Sequence, residues 1–340
     1  MKENIDIGYY TKSLDGHRQS YLDFIKSKIS GERIHEKSLI SHKGVVFFLM
    51  IEENFLLYFV VSLIRALIGK KTVGLLFRPK PALEASNFRL KLKLNMLKFL
   101  KKIKNVKTLS IVPTPLEPSI SEIVDDWIYD FQLWDITEDQ VEFFSNIKSN
   151  NISNEYSENV KNIQKIKKNA GEKKIIIALG TQNKGKGTHI LSENISQLVK
   201  QNFCVIVAGR FDQNSLKAKH ILQENGAYIF DRFMDDEEIL ALYAIADAVW
   251  CYYDPSYDQA SGILGRSIQL GVLPIVRPNS FSEKFCKIEN INHVASEFNI
   301  ANNILNLINN QNKNSILGFE KIGLTQLNSA LHKNKDVKSV

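Results

Sequence analysis

Several stretches of this chain carry no charged or amide side chain: GVVFFLMI over 44–51, FCVIVAG over 203–209 and AVWCYY over 248–253. A strand with one wet face alternates apolar with polar residues, so unbroken apolar runs belong where both faces of a sheet are covered. IDIGYY, KTVGLLFRP, KTLSIVP, KKIIIALG, AYIFDRF and LPIVRP read as further strands. Between them lie helical patterns such as NFLLYFVVSLIRALIG, FRLKLKLNMLKFLKKIKNV and THILSENISQLVKQ. Parallel neighbours need a crossover, and a helix between strands supplies one. The fold class expected is therefore α/β, with doubly wound parallel sheets covered by helices on both faces.

The alternation occurs twice, and 340 residues suffice for two cores. It is interrupted by SNIKSNNISNEYSENVKNIQKIKKNAGEKK, which is polar and has no strand-like run. The expected organisation is one Rossmann-like domain over 1–150, a linker over 151–171, a second over 172–300, and helices with a frayed tail over 301–340. In the second half, Asp235 and Glu238 have capping-box spacing, and SGILGRSIQLG reads as a helix capped by Ser261 and closed by Gly271. Two such domains with a cleft between them would place a ligand at the carboxyl ends of the strands.

Hydrophobic content of 44% and charged content of 24% are those of a folded chain rather than a disordered one. The cysteines, Cys204, Cys251 and Cys286, have no C-x-x-C spacing and no histidine cluster. They read as core residues of a reducing compartment, so neither a disulfide frame nor a metal site is expected. MKENIDIGYYTKS has two acids before its first apolar run and no long apolar region, and a secretory signal is not expected. A cytoplasmic protein is the expectation.

KKIIIALGTQNKGKGTHIL (173–191) is a strand, a loop rich in glycine and lysine, and a helix. Amides at a helix start point outward and carry partial positive charge, so this arrangement suits phosphate. Two readings compete. A P-loop would use Gly180, Gly185 and Lys186, with Asp254 as the later acid for Mg²⁺, but Gly187 stands where the metal-binding hydroxyl should be and Thr188 is one residue out of register. A nucleotide-sugar loop would hold a diphosphate with those amides and the cations of Lys186 and Lys184, without a metal. Further on, Ser261 and Gly262 open a second helix in the same domain, offering a second set of amides.

The run from 172 to 280 resembles the C-terminal half of GT-B glycosyltransferases, in particular glycosyltransferase family four, the bacterial polysaccharide and lipopolysaccharide sugar transferases. ALGTQNKGKGTHIL is similar to that family's G-R-L-x-x-x-K-G, with Gly180, Lys186 and Gly187 in place. VIVAGRFD resembles its second strand and glycine, and FDRFMDDEEILALYAIADAVWCYYDPSYDQASGILGRSIQLGVLPIV its later helix, E-x-F-G and A-x-G-x-P-V-I run. The resemblance implies a hexosyltransferase-like enzyme with a nucleotide-sugar donor, a saccharide or lipid-linked acceptor and no separate cofactor. Thr181 replaces the family's arginine, so donor charge would fall to Lys186, Lys184, Arg210 or Arg266. The family's paired glutamates fall on Gln259 and Ser267, or on Asp258 and Arg266, depending on the alignment. Asp258 or Gln259 would then meet the donor sugar. An epimerase of the same fold, or a degenerate binding protein, stay open as alternatives.

On the acceptor side, the turn after the first strand, SLDGHRQSY, offers Asp15 and His17 for acceptor contact or base catalysis, with His42 before the second strand as a further candidate. Charge is segregated. Residues 60–115 hold thirteen Lys or Arg against one acid, Glu84, while the whole chain carries +7, so the remainder is net acidic. FLLYFVVSLIRALIGKK is too short to span a bilayer, yet it and RLKLKLNMLKFLKKIKNVK set apolar residues beside lysines. That pattern suits an anionic membrane surface, here the inner face of the cell membrane. Nucleic acid is not expected, because Phe88 and Phe99 alone offer bases a stacking platform there.

Overall fold

The computed structural model describes residues 6–14, 17–151, 155–295, 303–304, 306 and 318–332. The chain divides into two compact units: Met1–Phe131 with Gly318–Val340, and Gln132–Leu317.

The first unit is built on strands β1 (Ile7–Tyr10), β2 (Glu32–Arg33), β3 (Val45–Phe48), β4 (Thr72–Leu76), β5 (Val106–Ser110) and β6 (Asp126–Trp127). Their order is β2-β1-β3-β4-β5-β6, with every pairing parallel. β1, β3 and β4 are buried at every residue, as their unbroken apolar runs require. Helix α1 (His17–Lys28) joins β1 to β2; α2 (Phe55–Leu67) joins β3 to β4. After a short helix, α3 (Lys80–Glu84), helix α4 (Phe88–Leu100) leads to β5. α2 and α4 cross over in the same direction, so right-handed connection puts both on one face of the sheet, where they pack together.

An arginine in the last turn of α2 looks misplaced for a core helix, and Arg65 is nevertheless fully buried. Its guanidinium donates to the carbonyls of Leu39 (2.8 Å), His42 (2.9 Å), Gly44 (2.6 Å) and Lys71 (3.0 Å), and to Thr72 Oγ1 (3.2 Å). The planar fork thus satisfies a cluster of carbonyls between α2, β4 and the preceding loop, and burial lowers its pKa to about 10.

The second unit carries β7 (Lys174–Leu179), β8 (Phe203–Ala208), β9 (Tyr228–Phe230), β10 (Ala248–Cys251), β11 (Leu273–Val276) and β12 (Val294–Ala295). The order is β12-β11-β10-β7-β8-β9, all parallel, with β7 and β8 in register from Lys174↔Phe203 to Leu179↔Ala208. From β7 the chain builds outward through β8 and β9, then returns to add β10 on the other side. The seam between β7 and β10 is therefore the topological switch point, where open α/β sheets bind ligands. Helices α5 (Glu138–Lys148), α6 (Glu158–Ala170), α7 (Thr188–Lys200), α8 (Leu216–Glu224), α9 (Asp236–Ile245), α10 (Gly262–Gln269) and α11 (Phe281–Ile288) complete the unit. The expected capping box is present at α9, where Asp235 accepts from Glu238 N (2.8 Å) and Glu238 accepts from Asp235 N (3.0 Å).

The division differs from the expected one in three places. Residues 158–170 are not linker: Ser157 caps α6, whose Val160, Ile163, Ile166 and Ala170 are buried, and α6 packs on α9. Its apolar face is one thin stripe in a Lys- and Asn-rich helix, which composition hides. α5 also packs on α9, so the second unit starts at 132 rather than near 172. The C-terminal helix, Phe319–His332, returns to the first unit, where Phe319 meets the Tyr129 ring at 4.8 Å and Leu331 O accepts from Lys71 Nζ (3.0 Å). α4 ends at Leu100, short of the periodic pattern that runs to 106. Of ANNILNLINN, Ile304 is fully buried in the second unit's core, and most of the stretch lies outside the described residues.

Candidate donor site at the second sheet's switch point

The loop leaving β7 first extends the sheet. Gly180 N donates to Ala208 O (3.0 Å), and Gln182 N to Arg210 O (2.8 Å). The Gln182 side chain, 2% exposed, then folds the loop onto the helix that follows. Its Nε2 donates to Gly180 O (2.8 Å), and its Oε1 accepts from Thr188 Oγ1 (3.0 Å). Lys186 N reaches both Asn183 Oδ1 (2.9 Å) and Asn183 O (3.1 Å), and Gly187 N reaches Lys184 O (2.9 Å). Those two amides, expected at the phosphate, are spent inside the turn, and Thr188 N, the first of α7, makes a long bond to Asn183 O (3.4 Å). What the turn leaves outward is the start of α7 and the two lysine side chains.

Gly187 is required by shape. Its φ is +71°, and a Cβ there would sit 2.0 Å from Tyr252 O. As the N-cap residue of α7 it offers no side chain to the first-turn amides. The N-cap residue of α10, Ser261, is of the right type for capping, yet its hydroxyl lies 2.6 Å from Tyr253 Oη and makes no cap. The expectation that Ser261 caps α10 is thus corrected. By contrast α5, α6, α9 and α11 are capped by Thr137, Ser157, Asp235 and Ser280, while α8, entered from a 3-10 turn, also lacks a capping side chain. The two helices that begin at the seam, following β7 and β10, are left without a capping side chain, and uncapped amides are an anion site.

Lys186 extends from one loop to the other: its Nζ lies 4.5 Å from the centre of the Tyr253 ring and 4.7 Å from that of Tyr257. The backbone ties the same loops together, Asp254 N donating to Gly185 O (3.0 Å). Ile263, in the first turn of α10, stands against Gly180, its Cδ1 lying 3.2 Å from where a Cβ would be. Gly180, Lys186, Tyr253, Tyr257, Ser261 and the start of α10 are thereby gathered at one edge. Lys184 is exposed on the loop.

The other expected residues are placed differently. Arg266 is half-buried and pairs with Asp135 (3.3 Å), which also accepts from Gln269 Nε2 (3.0 Å), so its charge is already compensated. Asp258 Oδ1 accepts from Phe281 N (2.7 Å) and lies 3.5 Å from Arg277 Nη2, bracing the start of α11. Gln259 is half-buried beside it, and Thr181 and Arg210 are exposed where their strands end. Gly262 is held by close approach, since its Cβ would lie 1.3 Å from Gln132 Oε1.

The P-loop parts are also committed elsewhere. Thr188 is buried and bonded to Gln182. Asp254 accepts from Ser256 Oγ (2.6 Å) and Ser256 N (2.9 Å), and these bonds, with Lys184 and His189 nearby, hold its carboxyl below the usual range. Among the described residues no group of three His, Cys, Asp or Glu could hold a metal ion.

In the first unit, Asp15 and Gly16 lie outside the described residues, and His17 opens α1 with its side chain outside them. His42 is buried, its Nε2 3.6 Å from Asp6 Oδ2. Just past β3, which with β1 flanks that sheet's own switch point, stand two glutamates the sequence reading passed over, Glu53 reaching toward the end of β1 and Glu52 toward that of β4. Glu52 Oε1 accepts from Phe77 N (2.7 Å) and Arg78 N (2.6 Å), and burial pushes its carboxyl up. Glu53 Oε2 accepts from Lys12 N (3.2 Å). Adjacent acids just past an apolar strand were the available signal. For the donor edge the signal was the Y-x-x-x-Y spacing of Tyr253 and Tyr257.

No family model matches the chain, and no curated protein matches it in sequence. Solved structures do match in shape. Anabaena HepE in complex with UDP-glucose superposes with a TM-score of 0.57 at 12% identity, covering 96% of this chain and 93% of that one. The N-terminal domain of Candida albicans trehalose-6-phosphate phosphatase gives 0.53 at 12%, covering 93% and 74%. The α,α-trehalose 6-phosphate synthase of Burkholderia multivorans gives 0.52 at 8%, covering 92% and 74%. At these identities the likeness is one of fold: two parallel α/β sheets with flanking helices, the GT-B type.

Proposed function

We propose that this chain is a glycosyltransferase of family-four character. It would transfer a sugar from a nucleotide-sugar donor to a saccharide or lipid-linked saccharide acceptor in the synthesis of a bacterial surface polysaccharide. The observation that carries this reading is the pair of uncapped helix starts, α7 and α10, at the switch point with Lys186 held between their loops. HepE, matched in fold, is a protein solved with UDP-glucose bound, which supports the same ligand class here.

The donor's diphosphate would lie against the first turns of α7 and α10, with Lys186 and Lys184 reinforcing it. As the bond between the anomeric carbon and the diphosphate oxygen breaks, the leaving group gains negative charge. Donors fixed in advance at that place stabilise it more in the transition state than in the ground state. The acceptor hydroxyl forms the new bond to the same carbon and loses its proton. Asp15 and His17 are the sequence's candidates in the first unit for that proton, and Glu52 and Glu53, past the end of β3, are two further ones. No divalent ion is required by this scheme.

The test is nucleoside diphosphate release from a panel of UDP-, GDP- and dTDP-sugars, with CMP-sugars scored by nucleoside monophosphate release, each in the presence of membrane-extracted saccharide acceptors. Acceptor-dependent release that falls at least about tenfold in Lys186→Ala supports transfer. Conversion of donor without acceptor would instead favour an epimerase. A second reading, a binding protein without transfer, is favoured by one observation: Asp258, the acid nearest the family's glutamates, is engaged with Phe281 N and Arg277. It predicts donor binding without release.

A further inference from the structure

On α2, Leu56, Val60 and Leu67 are exposed, Leu67 at 88%, and on α4 the same i, i+4, i+11 spacing recurs in Phe88, Leu92 and Phe99, with Phe88 80% exposed. At 3.6 residues per turn each set falls within an arc of about 40°, so each helix carries one apolar stripe turned away from its sheet. The opposite faces, Tyr58, Val61, Ser62 and Arg65 on α2 and Leu97 and Leu100 on α4, are the buried ones. The two helices lie on one face of the sheet and touch, Phe59 and Phe99 approaching to 6.3 Å. The stripes therefore form one patch, extended by exposed Ile68. Scattered apolar residues on a surface need no explanation, but a contiguous set on neighbouring helices does.

Its border is cationic. Lys91 flanks the α4 stripe on one side and Arg89 on the other, and Lys102 follows the helix, all three exposed. Part of the basic segment is not available: Arg65 is inside the fold, Lys98 pairs with Glu122 (2.7 Å), and Lys71 donates to Leu331 O. What remains on the surface is apolar at the centre and positive at the rim. A second copy docking there would set like charges against one another. An interface of acyl chains beneath anionic headgroups satisfies both parts together.

We propose that the outward face of α2 and α4 is a docking surface for an anionic lipid bilayer, with Leu56, Leu67, Phe88 and Phe99 entering the headgroup boundary and Arg89, Lys91 and Lys102 on lipid phosphates. It lies within the first unit and does not depend on the sugar-transfer reading, although it would bring a lipid-linked acceptor within the enzyme's reach.

Flotation of the full chain with vesicles of phosphatidylglycerol in phosphatidylcholine, and with phosphatidylcholine alone, tests it. The protein should float with the anionic vesicles at low salt and not with the neutral ones. Neutralising Arg89→Gln, Lys91→Gln and Lys102→Gln together should weaken partitioning about a hundredfold, about fivefold for each charge. Leu67→Ser with Phe88→Ser should weaken it at least about tenfold even at low salt. Both variants alter exposed positions and should keep wild-type circular dichroism and donor-induced stabilisation, which separates failure here from failure of the donor site. Three results would overturn the proposal: no flotation of the wild type, undiminished flotation of the Leu67→Ser/Phe88→Ser pair, or a wild-type dimer in sedimentation that the pair dissolves. Binding to duplex DNA without binding to vesicles would do the same.

Discussion

The ammonium of Lys186 lies 4.5 Å from the centre of the Tyr253 ring, and the hydroxyl of that ring lies 2.6 Å from Ser261 Oγ. One tyrosine thus places a cation and removes a cap. A lysine held over aromatic faces is positioned before a ligand arrives, and cation–π contacts of this kind contribute about 0.5–2 kcal/mol.

Tyr253→Phe keeps the ring and deletes the bond to Ser261. Ser261 can then turn to cap α10, occupying amides that the donor would use. Donor affinity should fall a few-fold while stability changes by about 1 kcal/mol or less. Adding Ser261→Ala to Tyr253→Phe should restore affinity. Calorimetric titration of the two variants checks this, and weakening of the double variant below the single would contradict it.

Gly187→Ala meets two obstacles, a φ of +71° and the carbonyl of Tyr252 at 2.0 Å from the new Cβ. Either the loop or β10 must shift. A loss of about 2–4 kcal/mol in urea unfolding is expected, with donor binding abolished. Gly226, after α8, also at positive φ (+80°) but with nothing within 4 Å of its Cβ, should lose less under the same change.

Arg65→Met removes the donor from a cluster of buried and part-buried acceptors. Five bonds are lost at once, so a loss of about 3–5 kcal/mol is expected. Arg65→Lys should rescue only part of it, because an ammonium presents three donors and no fork. Urea midpoints of the two variants make the comparison.

Lys71 gives a pH dependence. Burial, and then the nearby charge of Lys107, lower its pKa from 10.5 to about 7. Between those values the unfolded chain binds a proton that the folded chain has released, so stability must rise with pH from about 7 to about 10. Below about 7 the penalty is present in full. Lys71→Met should be less sensitive over that window, and the difference between the two unfolding curves, which cancels other groups, should shrink as pH rises. A difference that is flat with pH would show that Lys71 keeps its ordinary affinity for protons.

Much of the fold was legible because parallel sheets leave a local trace. β3, β8 and β10 are unbroken apolar runs, and Asp235 and Glu238 sit at capping-box spacing. The domain limits were hidden because α6 shows only a thin apolar stripe, and because the contacts that return Phe319–His332 to the first unit join residues far apart in sequence. At the candidate site, the loop glycines and Lys186 could be read from spacing. The fates of Arg266, Asp258 and Ser261 could not: each depends on a partner, Asp135, Phe281 N or Tyr253, that only folding supplies.

The central claim is that the seam between β7 and β10 holds a nucleoside diphosphate sugar. The most direct measurement is a thermal-shift titration of wild type and Lys186→Ala with UDP-, GDP-, CMP- and dTDP-sugars, alongside ATP with Mg²⁺. A ligand that binds only the folded chain raises its melting temperature by mass action. The account predicts that one class of nucleotide sugar stabilises the wild type and that Lys186→Ala needs at least about tenfold more of it for the same shift. Stabilisation by ATP with Mg²⁺ alone, or by no nucleotide sugar at all, would contradict it.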